Sequence, residues 1–220
     1  MNTKSLRRLT LALASLVLTA CSTVQSGGAD VHRGPAFPAS ILPNQKHADV
    51  PSNPARRTMQ SGVDAIVAGD AKRANHVFTL ALAHDLKSPG LHAANALAYQ
   101  LRTRAGERDM FILAETGYLI ALEQRHDFQS AALQLTRLYL ENKRYQQAQR
   151  AAAYVLGLDA SNIEALYLLS SASYYLGDVD LALWAIEHAR DLAPLDKLGA
   201  RMIPAIYGAA GLTKEAEAFI

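Results

Sequence analysis

Cysteine is almost absent from this sequence, since Cys21 is the only one among 220 residues. A single cysteine excludes an internal disulfide, so the fold cannot depend on covalent cross-links. The sequence also lacks a glycine-rich phosphate loop following a strand, a His-Glu-x-x-His zinc motif and a Gly-x-Ser-x-Gly nucleophile motif. We therefore expect a protein that is not an enzyme and that needs no cofactor and no metal ion.

Charge is sparse and nearly balanced. Charged residues make up 19% of the chain and apolar residues 50%, a composition that supports a packed core and argues against global disorder. The formal charge of +2 depends on Lys4, Arg7 and Arg8, because residues 1–20 contain no acid. Without these three, 19 basic residues face 20 acidic ones. A nucleic-acid partner, which requires a basic surface, is therefore not expected.

The first 21 residues have the pattern of a secretory signal peptide. A basic start precedes an apolar run over 9–20, which is too short to span a bilayer as a mature helix. The sequence Leu18-Thr19-Ala20-Cys21 resembles the bacterial lipobox, in which the cysteine is lipidated and becomes the first mature residue. The alternative is a plain signal peptide with a chance cysteine. The resemblance implies a signal peptide over 1–20 and lipid attachment at Cys21.

The residue after the cysteine bears on location. In Gram-negative lipoproteins an aspartate there tends to retain the protein in the inner membrane, and this chain has Ser22 instead. The resemblance therefore implies a protein anchored to the outer membrane by lipid and facing the periplasm. Residues 21–54 are rich in proline, glycine, serine and asparagine, so we predict a lipidated flexible tether with a reach of about 30 Å. As an alternative, Ile41-Leu42-Pro43 could dock on the folded domain.

A helix-turn-helix pattern recurs through the remainder of the chain. Between Ile163 and Pro194, apolar residues recur at helical spacing on both sides of Gly177-Asp178. This stretch resembles a tetratricopeptide repeat, a helix pair with a period of about 34 residues. The resemblance implies an all-α fold, a right-handed superhelix (α-solenoid) of helix-turn-helix repeats. Stepping along the chain by this period predicts an array over 55–220, with repeats at 55–88, 89–128, 129–162, 163–196 and a partial one at 197–220.

Some features of the array are irregular. The segment 89–128 exceeds the period by six residues, which we assign to the turn around Arg104 to Glu107. Pro204 should kink the first helix of the last repeat or delay its start. Ser161 and Glu164 have the spacing of a capping box at the start of a helix. The last helix is short and without a polar cap, so we expect either a longer array or an edge covered by a partner or by a second copy of the chain.

In this family, the first helix of each repeat lines a concave groove that binds partner proteins. The lysine, asparagine and arginine clamp that some members use for carboxylate tails is absent here, so we expect a partner segment with apolar anchors. A tyrosine cluster in the fourth repeat suits peptide recognition, although Tyr174 has packing as an equal alternative. The predicted groove residues are Leu97, Gln100, Leu133, Arg137, Glu164, Tyr167, Ser171, Tyr174, Tyr175 and Arg201.

These features predict a non-catalytic protein-interaction scaffold in the periplasm. The resemblance is to repeat-containing lipoproteins that assist assembly of a pilus, a secretion system or another outer-membrane complex. One alternative is an adaptor that recruits or regulates periplasmic cell-wall hydrolases. Another is the N-terminal scaffold of a longer export protein. The expected partners are envelope proteins in the groove, the membrane through the lipid, and possible homo-oligomers through the C-terminal edge.

Overall fold

The computed structural model describes residues 53–194 and 197–217, and every regular element in these ranges is an α-helix. The predictions for the signal peptide, for Cys21 and for the tether up to residue 52 lie outside the described residues. Asn53 and Pro54 begin the first helix and do not belong to the tether. The helices are α1 (Asn53–Val67), α2 (Ala71–His84), α3 (Pro89–Arg104), α4 (Met110–Gln124), α5 (Gln129–Glu141), α6 (Tyr145–Leu158), α7 (Ile163–Leu176), α8 (Val179–Leu192), α9 (Lys197–Ala209) and α10 (Thr213–Glu217).

The described residues fall into two compact units that divide within α5. The N-terminal unit ends at Leu138, and the C-terminal unit begins at Tyr139. In the N-terminal unit α1 packs on α2, α2 on α3 and α3 on α4; in the C-terminal unit α6 packs on α7, α7 on α8, α8 on α9 and α9 on α10. Each connection is short, which places consecutive helices side by side. None of the described helices is both long and apolar enough to span a membrane.

One buried pattern recurs on α2, α4, α6 and α8. Each of these helices contributes three fully buried residues, spaced by four and then three, so that all three share one face. Alanine at most of these positions lets the neighbouring helices approach closely, while one larger residue in each set fills the space between them: the middle one in α2, α4 and α8, and the last one in α6. The four sets are Ala74, Phe78 and Ala81; Ala114, Tyr118 and Ala121; Ala148, Ala152 and Val155; Ala182, Ile186 and Ala189.

The residue at which the two helices of a hairpin cross is small. Gly62 of α1 lies against the ring of Phe78, and a Cβ atom at Gly62 would come within 2.4 Å of that ring. In α7 the equivalent position is Ser170, whose hydroxyl donates a 2.7 Å hydrogen bond to the carbonyl oxygen of Ala182 in α8. Close approach therefore depends on a missing side chain in one hairpin and on a satisfied hydroxyl in the other.

The turns and caps follow the sequence closely, with one exception. Gly177 has a φ of 80°, and the following Asp178 accepts a hydrogen bond from the amide of Leu181 to start α8. At α7 the capping residue is Asn162, whose side chain accepts from the amide of Ala165 at 2.9 Å. Ser161 instead donates to Asp159 at 2.7 Å. The predicted capping box was wrong because Asn162 directly precedes the first helical residue and fills the cap position.

In the long second repeat, 89–128, the six extra residues are divided between the two helices and the connection that joins them. Helices α3 and α4 have 16 and 15 residues, against 14 and 14 in α7 and α8. The α3–α4 connection, 105–109, is also longer than the Gly177-Asp178 turn. Assigning all six extra residues to the turn was therefore wrong, because about half of them extend the helices. Pro204 does not delay the start of α9, which runs from Lys197 to Ala209 with this proline inside it.

Candidate protein-binding surface

The predicted groove residues of the N-terminal unit divide into buried and accessible ones. Leu97 is 4% exposed, and Gln100 is fully buried, with its side-chain oxygen accepting a 2.7 Å hydrogen bond from the Tyr118 hydroxyl. Gln100 therefore joins α3 to α4, and neither side chain is available to a partner. Leu133 and Arg137 on α5 are half-buried and remain accessible. The prediction that Gln100 lines the groove was wrong, because a buried polar side chain requires a hydrogen-bond partner and Tyr118 of the same hairpin provides it.

Two predicted residues of α7 also lie in the core. Tyr167 is 4% exposed and belongs to a hydrophobic cluster with Ile186 and Met202. Ser171 is buried as well, and its hydroxyl donates to the carbonyl oxygen of Tyr167 at 2.8 Å. Packing by α8 and α9 covers this face of α7, which differs from the exposed position expected of a groove residue. Glu164, in the first turn of α7, is half-buried.

The last groove residue in the sequence, Arg201, lies within α9, and its side chain is outside the described residues.

Tyr174 and Tyr175 form an aromatic cluster with Tyr145, and we call these three residues the tyrosine cluster. The rings of Tyr145 and Tyr175 stack with centroids 4.7 Å apart and an interplanar angle of 13°. Tyr174 meets Tyr175 edge-on, with centroids 5.6 Å apart. All three side chains are half-buried, and Tyr174 also packs against the core of the C-terminal unit. The structure therefore shows the packing role of Tyr174, while its role in binding a partner stays a prediction.

Helix packing explains how these tyrosines meet. Tyr145 is the first residue of α6, while Tyr174 and Tyr175 are near the end of α7. These helices pack together, and the side chain of Gln149 donates to the Ser173 hydroxyl at 3.1 Å across the same contact. Sequence reasoning missed Tyr145, because it considered only first helices. Neighbouring helices joined by a short connection run in opposite directions. This rule places the start of α6 beside the end of α7, and it could have predicted that Tyr145 lies near Tyr175.

Burial keeps the tyrosine cluster protonated. Loss of solvation raises the pKa of Tyr175 to about 12, with smaller contributions from Tyr145 and Tyr174. Burial likewise raises the pKa of Tyr145 and of Tyr174. At neutral pH the phenol hydroxyls are therefore neutral hydrogen-bond donors and acceptors, unsuited to act as bases. The cluster offers flat apolar rings with polar tips, an arrangement that favours protein recognition.

The C-terminal unit also carries an exposed tryptophan. Trp184 on α8 is 52% exposed and stacks on His188, with ring centroids 5.5 Å apart. Sequence reasoning also overlooked this residue, although it is the only tryptophan in the chain. Its place on the solvent side of α8 follows from the helical period, because Ala182, Ile186 and Ala189 occupy the opposite, buried face.

The N-terminal unit has a charged cleft of about 540 Å³, formed where the start of α2 meets the end of α3. Arg102 donates to Glu107 at 2.6 Å, and Lys72 approaches the same carboxylate at 3.6 Å. The hydrogen bond from Arg102 is the main cause that lowers the pKa of Glu107, and the same bond raises the pKa of Arg102. The ion pair holds the 105–109 connection. Within 53–194 and 197–217, no three histidine, cysteine, aspartate or glutamate side chains are grouped so that they could hold a metal ion.

Comparison with known proteins defines the fold. No model of a known protein family matches the sequence, and no curated protein matches it. Among solved structures, MamA 41-end from Desulfovibrio magneticus RS-1 is similar, with a TM-score of 0.68 and 17% identity over 77% of this chain and 93% of the other. MamA AMB-1 gives a TM-score of 0.61 and 21% identity over 74% and 92%.

A third similar structure is named for its repeats. A tetratricopeptide repeat protein from Parabacteroides merdae ATCC 43184 has a TM-score of 0.62 and 20% identity, over 77% of this chain and 64% of the other. The chain has a tetratricopeptide-type fold. This confirms the all-α repeat architecture expected from the sequence. At these identities the similarity concerns the fold alone.

Proposed function

We propose that this protein is a non-catalytic scaffold that binds other proteins of the bacterial envelope through its repeat array. The tyrosine cluster is the observation that carries the proposal. Its rings are already ordered by stacking. Binding of a partner therefore costs the tyrosine side chains little conformational entropy. Leu176, the next residue of α7, is 38% exposed and adds an apolar side chain near the end of this helix. Aromatic residues of this kind are enriched among the residues that dominate binding energy.

The proposed location rests on the N-terminal sequence. Lys4, Arg7, Arg8 and the apolar run end at Cys21, which we propose carries the lipid that holds the protein to the outer membrane on the periplasmic side. A tethered scaffold in the periplasm would assist the assembly of a pilus, a secretion system or another outer-membrane complex. The alternative role is the recruitment of cell-wall hydrolases, and a third is the scaffold part of a longer export protein.

A crosslinking pull-down from envelope extracts tests the binding surface. The variant combines Tyr145→Ala with Tyr175→Ala, because both rings are half-buried and stack on each other. Tyr154→Ala is the matched control, since Tyr154 is also on α6 and 42% exposed but outside the tyrosine cluster. We expect the double variant to lose partner capture and the control to keep it. If the unmodified protein, the double variant and the Tyr154→Ala control all capture the partner equally, the assignment of the binding surface is refuted.

The identity of the captured proteins separates the proposed roles. Secretin or pilus subunits would support assembly, and cell-wall hydrolases would support the adaptor role. The anchor needs its own test: Cys21→Ala should move the protein from the membrane fraction to the soluble periplasmic fraction. A Cys21→Ala protein that stays in the membrane fraction would contradict lipid attachment.

A further inference from the structure

The hydroxyl groups of the tyrosine cluster make no hydrogen bond with any residue that the structure describes. By contrast, the Tyr118 hydroxyl donates to Gln100. The Tyr207 hydroxyl likewise bonds to Arg190 and Glu187, because a tyrosine hydroxyl that is withdrawn from water usually finds a partner. Stacking holds the rings of the cluster in place, so their hydroxyls are unused donors and acceptors at fixed positions.

The surroundings of the tyrosine cluster do not favour a charged partner. Within the described residues, only burial and the neighbouring tyrosines raise the pKa values of its phenols, and no lysine, arginine, aspartate or glutamate is among the causes. Charged residues close to the cluster in sequence carry both signs: Glu141, Lys143 and Arg144 precede Tyr145, and Asp178 and Asp180 follow α7. With both signs present, neither an acidic nor a basic segment gains a net attraction from this surface.

The unused hydroxyl groups favour a partner backbone with free carbonyl oxygens. In an α-helix the carbonyl oxygens accept hydrogen bonds from the helix's own amides. A polyproline II helix has no internal hydrogen bonds, so all of its carbonyl oxygens can accept from a binding protein. Proline also has no amide hydrogen, so it requires no acceptor in return. Proline-rich segments in this conformation bind to grooves lined by aromatic rings.

The tyrosine cluster also has a suitable size. The ring centroids of Tyr145 and Tyr175 are 4.7 Å apart, and those of Tyr175 and Tyr174 are 5.6 Å apart. A polyproline II helix has about three residues per turn and advances about 9 Å in each turn. The rings therefore extend over about one turn of such a helix.

We propose that the tyrosine cluster recognises a proline-rich segment of a partner protein in the polyproline II conformation. Proline rings would pack on the accessible parts of the tyrosine rings, and the phenol hydroxyls would donate hydrogen bonds to backbone carbonyl oxygens. This inference rests on the proposed function, since it names the chemistry of the partner that the same surface binds. A rigid segment of this kind also loses little conformational entropy on binding.

Titration of the full-length, lipidated protein in detergent tests the proposal. The probe is a fluorescently labelled decaproline peptide, and anisotropy measures its binding. We expect saturable binding, with a labelled glycine–serine peptide of the same length binding at least about tenfold more weakly, because it is flexible and offers no rings to pack. An unlabelled glycan fragment of the cell wall should not compete. Equal binding of the two peptides, or competition by the glycan, would overturn the proposal.

Matched variants separate the hydroxyl groups from the rings. Tyr145→Phe, Tyr174→Phe and Tyr175→Phe combined keep all three rings and should weaken decaproline binding about tenfold, the effect of losing two ordinary hydrogen bonds. Tyr154→Phe, at a tyrosine of α6 outside the cluster, should leave the binding unchanged. Circular dichroism checks that each variant is folded. Unchanged binding by the triple variant would contradict recognition through the hydroxyls.

The pull-down from envelope extracts distinguishes this proposal from the proposed function. If capture depends on Tyr145 and Tyr175 but decaproline does not bind, the partner segment is not proline-rich and the scaffold role stands. If neither capture nor decaproline binding depends on these tyrosines, both proposals are wrong. Capture that decaproline blocks in the unmodified protein would support both.

Discussion

The two units use the same helix pair but stabilise it by different side chains. In the N-terminal unit, Arg102 and Glu107 form an ion pair that holds the long α3–α4 connection. In the C-terminal unit, a tyrosine hydroxyl joins α9 to α8, because Tyr207 accepts a hydrogen bond from Arg190 at 2.6 Å and donates one to Glu187 at 3.2 Å. The alanine-rich buried faces are common to both units. The difference indicates that the fold depends on those faces, while the positions around them vary.

The same contrast separates the two candidate surfaces. The C-terminal unit presents the tyrosine cluster, with polar tips and ordered rings, whereas the N-terminal unit exposes the aliphatic side chains of Ile112, Leu113 and Leu119 on α4. Aromatic residues with hydroxyl groups suit specific contacts with a partner, and an aliphatic patch suits a contact that excludes water. Each surface lies outside the buried pattern that the units share, so changes there should alter binding more than folding.

The largest expected effect is at the shared core. Phe78→Ala should reduce the free energy of unfolding by about 3–5 kcal/mol, because Phe78 is fully buried and its removal leaves a cavity between α1 and α2. Urea unfolding monitored by circular dichroism measures the change. Ile186→Ala, at the equivalent position of the C-terminal unit, should cost about 2–5 kcal/mol. A loss below 1 kcal/mol at both positions would contradict a shared core pattern.

The crossing residues should respond differently in the two units. Gly62→Ala should lower the free energy of unfolding by about 1–3 kcal/mol, because the new Cβ atom would overlap the Phe78 ring. Ser170→Ala should cost only about 1 kcal/mol, since it removes one hydrogen bond to Ala182 and adds no atom. Chemical unfolding of both variants gives the comparison. Equal losses would show that steric fit is not what distinguishes these crossings.

The tyrosine cluster should make stability fall at high pH. The pKa of Tyr175 is about 12 in the folded protein and 10.0 ordinarily, so its stabilising contribution is complete below pH 10 and is lost between pH 10 and about 12. Tyr175→Phe should reduce this alkaline loss, because phenylalanine does not ionise. Unfolding measured across this range tests the prediction, with Tyr154→Phe as the control. An unchanged alkaline profile in Tyr175→Phe would rule out the contribution of Tyr175.

The smallest effect is expected at the ion pair of the N-terminal unit. Arg102 lowers the pKa of Glu107, so the contribution of this pair is present above the ordinary carboxyl pKa and is lost as the pH falls through the lowered pKa. Arg102→Met should return the Glu107 pKa toward its ordinary value, and NMR titration of the glutamate can follow it. The stability change should be small because the pair is partly exposed. A Glu107 pKa that stays low in Arg102→Met would exclude Arg102 as the cause.

Much of the architecture was predictable, because helical periodicity directly encodes a buried face. The alanines at 74, 114, 148 and 182 recur with the repeat, and each is fully buried. The candidate surface was less predictable. Tyr167 and Tyr175 are both tyrosines on α7, separated by eight residues, but one is in the core and the other stacks on Tyr145. Their separate environments depend on which neighbouring helices cover each turn of α7.

The sequence by itself determined the repeat period, the small residues at the crossings and the positions of most turns, since each is a property of local spacing. Only the tertiary structure decided which polar and aromatic side chains are accessible. Gln100 is buried because Tyr118 from the next helix meets it, and Tyr145 joins the tyrosine cluster because α6 lies beside α7. Exposure results from contacts between helices distant in sequence, and a pattern along one helix does not contain that information.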